Sequence, residues 1–161
     1  MNDFLSIRKK LVKDVYDKFE TNRLGKNYSK VKALINLELG AILAFFFIKL
    51  KIKPNIITFF YILLVLIATL LLASGKENLI YLGVLIFFFK NSIDLIDGFI
   101  ARITDTTSEI GHKLDTWAGT ISLICFQLAL GLYVYSKSLN IHYLYLTLII
   151  VTLSAIDFKK H

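Results

Sequence analysis

"NIITFFYILLVLIATLLLAS", residues 55–74, decides the fold class. It carries no charged residue, and its length matches the roughly 20 apolar residues a helix needs to cross the hydrocarbon core of a bilayer. Residues 116–136 and 138–156 are also free of Asp, Glu, Lys and Arg. Residues 79–101 form a fourth segment of spanning length, interrupted by Lys90, Asp94 and Asp97. With 56% hydrophobic residues, the chain is too apolar for an ordinary soluble domain. These runs predict an all-α integral membrane protein with about four transmembrane helices, near 55–74, 79–101, 112–136 and 140–157.

Upstream, residues 5–33 predict a helix lying on the membrane. Leu5, Leu11, Val12, Val15, Tyr16 and Phe19 recur near helical spacing, with Arg8, Lys9, Lys10, Lys13 and Lys18 between them. That is the pattern of an interfacial amphipathic helix. The apolar run 39–48, "LGAILAFFFI", is short for a span and predicts a shallow or interfacial helix. "KIKPN" then breaks the chain, and Pro54 suits the first turn of the next helix, where its missing N–H costs nothing. The expected organisation is a cytoplasmic or interfacial segment over 1–53 and a transmembrane domain over 54–161.

Charge sets the orientation. Twelve of the 19 Lys and Arg lie before Pro54. In a membrane chain such a bias marks the cytoplasmic side and favours anionic lipid headgroups as partners, rather than nucleic acid. Both termini are expected in the cytoplasm, in an inner or cell membrane. The N-terminus lacks the short apolar core of a cleavable signal peptide. Cys125 is alone, so no internal disulfide is expected, and its mid-span position reads as packing. The aromatic clusters read as lipid-facing packing, with Trp117 and several Tyr near span ends.

The apolar pattern is violated in one place, "DLIDGFIARITDTTSEIGHKLDTWAG", residues 94–119. An ionisable residue at the centre of a span costs about 2.5–3.5 kcal/mol on insertion scales, so three Asp and an Arg need compensation. Residues three and four apart share a helix face, which pairs Asp94 with Asp97 and Gly111 with Asp115. Converging carboxylates suit a hard divalent cation such as Mg²⁺, which takes one or two of them together with substrate phosphates. Arg102 offers a fork for a phosphate or diphosphate. Two other readings stay open: an inter-helix salt-bridge network around Arg102 aided by Lys90 and Lys113, and proton-relay carboxylates of a transporter.

Asp94, Asp97, Gly98, Ala101, Arg102, Gly111 and Asp115 fall at the spacings of D-x2-D-G-x2-A-R-x8-G-x3-D-x3-D. In this the chain resembles the CDP-alcohol phosphatidyltransferases, and "PNIIT" resembles the Pro-Asn-x-x-Thr that opens their first span, giving Pro54, Asn55 and Thr58. The resemblance covers roughly residues 5–157. It implies six spans, a site open to the cytoplasm, a homodimer, and a divalent metal, Mg²⁺ or Mn²⁺. It also implies a CDP-alcohol lipid such as CDP-diacylglycerol as substrate, attacked by an acceptor hydroxyl with release of CMP. Asp94, Asp97 and Asp115 would hold metal. Gly98, Ala101, Arg102 and Gly111 would line the cytidine diphosphate site, with Asn55 and Thr58 supporting it.

Two departures from the family accompany the resemblance. Gly119 stands where the family has its last Asp, assigned to the second metal and to deprotonating the acceptor. Gly offers neither ligand nor base, leaving a low-activity enzyme, a binding-only relative, or a different base, with Asp115 and His112 the nearest groups. The chain also stops after the fourth expected span, a truncated form of the six-helix fold. A membrane prenyltransferase, which binds diphosphate through Mg²⁺ and Asp-rich motifs, is the further alternative. Against it, the only acid after Asp115 is Asp157.

Overall fold

The structure, a computed structural model, describes residues 3–20 and 30–158, and the side chains of all of these but 16–20, 30–34 and 158. Its elements are helices: α1 (Phe4–Glu20), α2 (Lys30–Lys49), α3 (Pro54–Ala73), α4 (Glu77–Ile103), α5 (Glu109–Ser138) and α6 (His142–Phe158). The described residues contain no strand.

The helix expected over 5–33 falls on α1 and the first residues of α2. α1 ends at Glu20, residues 21–29 lie outside the described residues, and 30–33 belong to α2. The shallow helix expected over 39–48 is thus the second half of a 20-residue helix. Helix-favouring Ala33, Leu34 and Leu37 precede the apolar run without a Pro or Gly to stop propagation. Pro54 opens α3 as expected.

Among the described residues, three helices are long and apolar enough to cross a membrane: α3, α4 and α5, of 20, 27 and 30 residues. α6 is apolar but shorter, at 17 residues, where a fourth span was expected. Only 22–33% of each spanning window is buried. Phe59, Leu70, Leu123 and Leu153 are among many large apolar side chains left exposed, a surface that water does not tolerate and lipid does. The protein is an all-α membrane protein. At 1.5 Å per residue α4 is about 40 Å long, more than the roughly 30 Å hydrocarbon core, so its ends stand in the headgroup zone.

The chain divides into two compact units. The first comprises Met1–Thr58 and Asn91–Gly111, the second Phe59–Lys90 and His112–His161. In the first, Ile7, Leu11 and Val15 of α1 are buried with Ala41 and Ala44 of α2, Ile57 of α3, and Ile96, Phe99 and Ile100 of α4. Of the stripe of α1 expected to rest on lipid, Leu11 and Val15 therefore cover the protein's own core, Val12 is half-buried and Leu5 is exposed, while the Tyr16 and Phe19 side chains lie outside the described residues. The charged flank of α1 is tied to α2 by Arg8, whose Nε donates to both Glu38 oxygens at 3.0 and 2.8 Å. That bonding holds the Glu38 carboxyl below the usual carboxylate range.

The second unit packs differently. A Cβ placed on Gly131 of α5 would lie 1.9 Å from Thr147 Oγ1 of α6, so only glycine permits this approach. Gly83 of α4 likewise brings its Cα against the Ala68 carbonyl of α3. Gln127 donates to Ser154 at 2.9 Å across α5 and α6. Cys125 is buried, with a free thiol, as its packing role requires.

Candidate functional site

The segment Asp94–Arg102 forms the last turns of α4. Asp94 and Asp97 are one turn apart, yet their surroundings differ. Asp94 is exposed, whereas Asp97 is only 4% exposed. Burying a carboxylate is costly without hydrogen bonds to its oxygens. Thr58, itself buried, donates from Oγ1 to Asp97 Oδ2 at 2.7 Å. The Gly98 amide donates to Asp97 Oδ1 at 2.6 Å. Both oxygens are oriented, and the Asp97 side chain is held in one direction.

Thr58 can reach because it sits on the first turns of α3, where the chain turns in through "KIKPN". The same turn supplies Asn55. A Cβ on Gly111 would lie 3.2 Å from Asn55 Oδ1 and 3.1 Å from Ser108 Oγ. Ser108 Oγ also accepts from the Gly111 amide at 3.0 Å, capping the start of α5. The first unit thus joins the two motif stretches at two points, Thr58 to Asp97 and Asn55 to Gly111.

Gly98, without a side chain, lets another group approach that helix face. The group is Arg102: its Nη1 lies 3.1 Å from where a Gly98 Cβ would stand. The other edge of the guanidinium faces α1. Arg102 Nε donates to Asp14 Oδ1 at 2.9 Å and Nη2 to Oδ2 at 2.7 Å. Ala101 is half-buried beside it.

Sequence reasoning missed Asp14. Its signal was an acid directly after the basic stretch Arg8–Lys13 of the same helix. It also missed Asn36, whose buried Oδ1 accepts from the buried Ser92 hydroxyl at 3.0 Å, linking α2 to α4 just ahead of Asp94. An Asn inside the apolar run of α2 was the clue.

Asp115 and Gly119 lie on α5 in the second unit. Asp115 is half-buried and Gly119 exposed. A Cβ on Gly119 would meet nothing within 4 Å. His112 and Lys113 are exposed. Lys90 is part-buried and donates to the buried Tyr61 hydroxyl at 3.1 Å within the same unit.

Within neither unit do three or more described His, Cys, Asp or Glu side chains form a metal-holding group. The donor chemistry nonetheless fits Mg²⁺ or Mn²⁺. Asp94 and Asp97 are hard oxygen donors one turn apart, and such a cation commonly takes one or two carboxylates and completes its shell with phosphate and water. Asp97 is oriented by Thr58 and the Gly98 amide, as outer partners orient metal-ligating groups.

The family model of the CDP-alcohol phosphatidyltransferases matches residues 51–158. Neither the curated proteins nor the solved structures include a match to this chain. The family match spans α3 to α6 and includes the whole of the Asp94–Gly119 segment together with the "PNIIT" that anchors Asp97. It leaves the prenyltransferase alternative without support, and the chain belongs to the CDP-alcohol phosphatidyltransferase family.

Proposed function

We propose that the protein binds a CDP-alcohol lipid such as CDP-diacylglycerol and transfers its substituted phosphate to an acceptor hydroxyl, with turnover held low by Gly119. The family acts in lipid biosynthesis by phosphotransfer from CDP-alcohols and is generally dependent on a divalent metal. The observation that carries the reading is the Thr58–Asp97 hydrogen bond. It ties the opening of α3 to the acidic segment of α4 and aims a buried carboxylate that a purely structural helix would have no reason to keep.

In this reading Asp94, Asp97 and Asp115 hold Mg²⁺ or Mn²⁺, which when bound neutralises the diphosphate and stabilises the departing phosphate. Arg102 binds a phosphate oxygen through its fork. Gly98 leaves room for the Arg102 guanidinium beside the nucleotide, and Gly111 leaves room for Asn55 and Ser108. The acceptor oxygen bonds to the phosphorus nearer the alcohol, the bond from that phosphorus to the CMP oxygen breaks, and the hydroxyl proton leaves. A positioned base contributes typically 10²–10⁴-fold. Gly119 supplies none, which also favours the second reading, a CDP-lipid binder without turnover.

Exposed Lys9, Lys10 and Lys13 on α1 suit anionic headgroups, and the Lys and Arg bias puts both termini and the site on the cytoplasmic side. Labelling of position 2 or 160 from the outer face of intact cells would refute that orientation. The function is tested with purified protein, Mg²⁺ and CDP-diacylglycerol. Metal-dependent binding with slow CMP release supports the transferase, and binding with no CMP release supports the second reading. The absence of metal-dependent binding rejects both.

A further inference from the structure

Arg102 stands on the last turn of α4, where its long side chain has rotamer entropy to lose before it can bind anything in a fixed direction. Asp14 removes that freedom. It takes the Nε and Nη2 donors of one guanidinium edge, at 2.9 and 2.7 Å. A guanidinium has five N–H donors in a planar fork. Those outside the Asp14 pair are on Nη1 and the outer side of Nη2, and Nη1 is held over Gly98. A phosphate can therefore use the second fork while Asp14 keeps the first.

The Asp14 carboxylate is itself well placed to hold steady. It lies between Leu11 and Val15, which are 0% and 4% exposed in the core of the first unit. The pair contributes little to stability, because both partners are partly exposed, with 39% and 22% of their side-chain surfaces open. Its effect is directional.

We propose that Asp14, which lies outside the family-matched residues 51–158, is a positioning residue that presents the free fork of Arg102 to the diphosphate of the CDP-alcohol. α1 thereby completes the nucleotide site from outside the motif. This rests on the function proposed above.

The test is titration of CDP-diacylglycerol against the full chain in lipid nanodiscs with Mn²⁺. Asp14→Asn keeps the shape but loses the charge. It should weaken binding roughly tenfold, the lower end of the loss seen when a group that orients a binding side chain is removed. Asp14→Glu should recover most of it. Arg102→Gln should weaken binding further, and adding Asp14→Asn to Arg102→Gln should change nothing more. Glu38→Gln, which cuts the other tie between α1 and the body of its unit, should leave affinity unchanged. Tighter or unchanged binding in Asp14→Asn overturns the proposal, the first outcome marking Asp14 as a competitor for Arg102. Equal weakening by Glu38→Gln also overturns it, because α1 would then act only by packing. A parent that binds no CDP-diacylglycerol overturns this proposal and the proposed function together, whereas a parent that binds with an indifferent Asp14 overturns this one alone.

Discussion

The first unit joins its helices through polar side chains: Thr58 to Asp97, Ser92 to Asn36, Arg102 to Asp14 and Arg8 to Glu38. The second joins them through missing side chains, with Gly131 against Thr147 and Gly83 against Ala68. In lipid the hydrophobic effect does not pull helices together, so close backbone approach and interhelical hydrogen bonds must do it. The second unit uses the first device at these glycines and the second from Gln127 to Ser154 and from Lys90 to Tyr61. Two of the first unit's polar pairs, Thr58 with Asp97 and Asp14 with Arg102, orient charged groups at the end of α4, where the proposed chemistry with a diphosphate needs them. The contrast separates residues that hold the protein together from residues that aim its site.

Asp97→Asn tests this separation most severely. It removes the oriented, buried carboxylate, and metal-dependent CMP release should fall by at least about 100-fold, since loss of a mere outer-shell partner already costs 10–100-fold. If CDP-diacylglycerol affinity and turnover survive in Asp97→Asn, the polar device of the first unit is only structural.

Gly119→Asp sharpens the contrast from the other side. Gly119 is four residues after Asp115, about 40° around the helix from it, and a new Cβ there meets nothing within 4 Å. The substitution should raise CMP release roughly tenfold, toward what a positioned base contributes, with CDP-diacylglycerol affinity and thermal stability little changed. A parent whose rate is unchanged or lowered by Gly119→Asp would show that the acceptor's proton leaves by another route.

Gly131→Ala addresses the close backbone approach of the second unit. Its methyl would fall 1.9 Å from Thr147 Oγ1, so α5 and α6 must separate. Overpacking of this kind costs about 1–3 kcal/mol, to be read by unfolding in detergent. The folded fraction should still bind CDP-diacylglycerol with parental affinity. A loss of affinity equal to the loss of stability would erase the distinction between the units.

The smallest effect belongs to Glu38→Gln. Hydrogen bonding from Arg8 lowers the Glu38 pKa. A depressed carboxylate stabilises the fold above its unfolded pKa and loses that contribution as pH falls through the folded value. The variant should therefore melt slightly below the parent near pH 7, and the gap should close below about pH 4. A gap that persists in acid would assign the effect to packing of α1 rather than to the ion pair.

Sequence alone determined the membrane class, because charge-free runs of spanning length have few other uses. The family was legible too, through the resemblance that the spacings from Asp94 to Asp115 carry, and the family model agrees. The sequence also marked Gly119 as a departure. Helix ends were less legible: α2 begins at Lys30 rather than near residue 39, because helix propagation runs past the point where hydrophobicity begins. Only the tertiary structure decided that Thr58 serves Asp97, that Arg102 lies against Gly98, and that α1 buries Leu11 and Val15. The Asp14–Arg102 pair joins residues 88 positions apart. Helical periodicity states which face a side chain occupies, but not which other face is brought against it. That pairing comes from how the buried stripes of α1, α2 and α4 pack, and a one-dimensional pattern does not contain it.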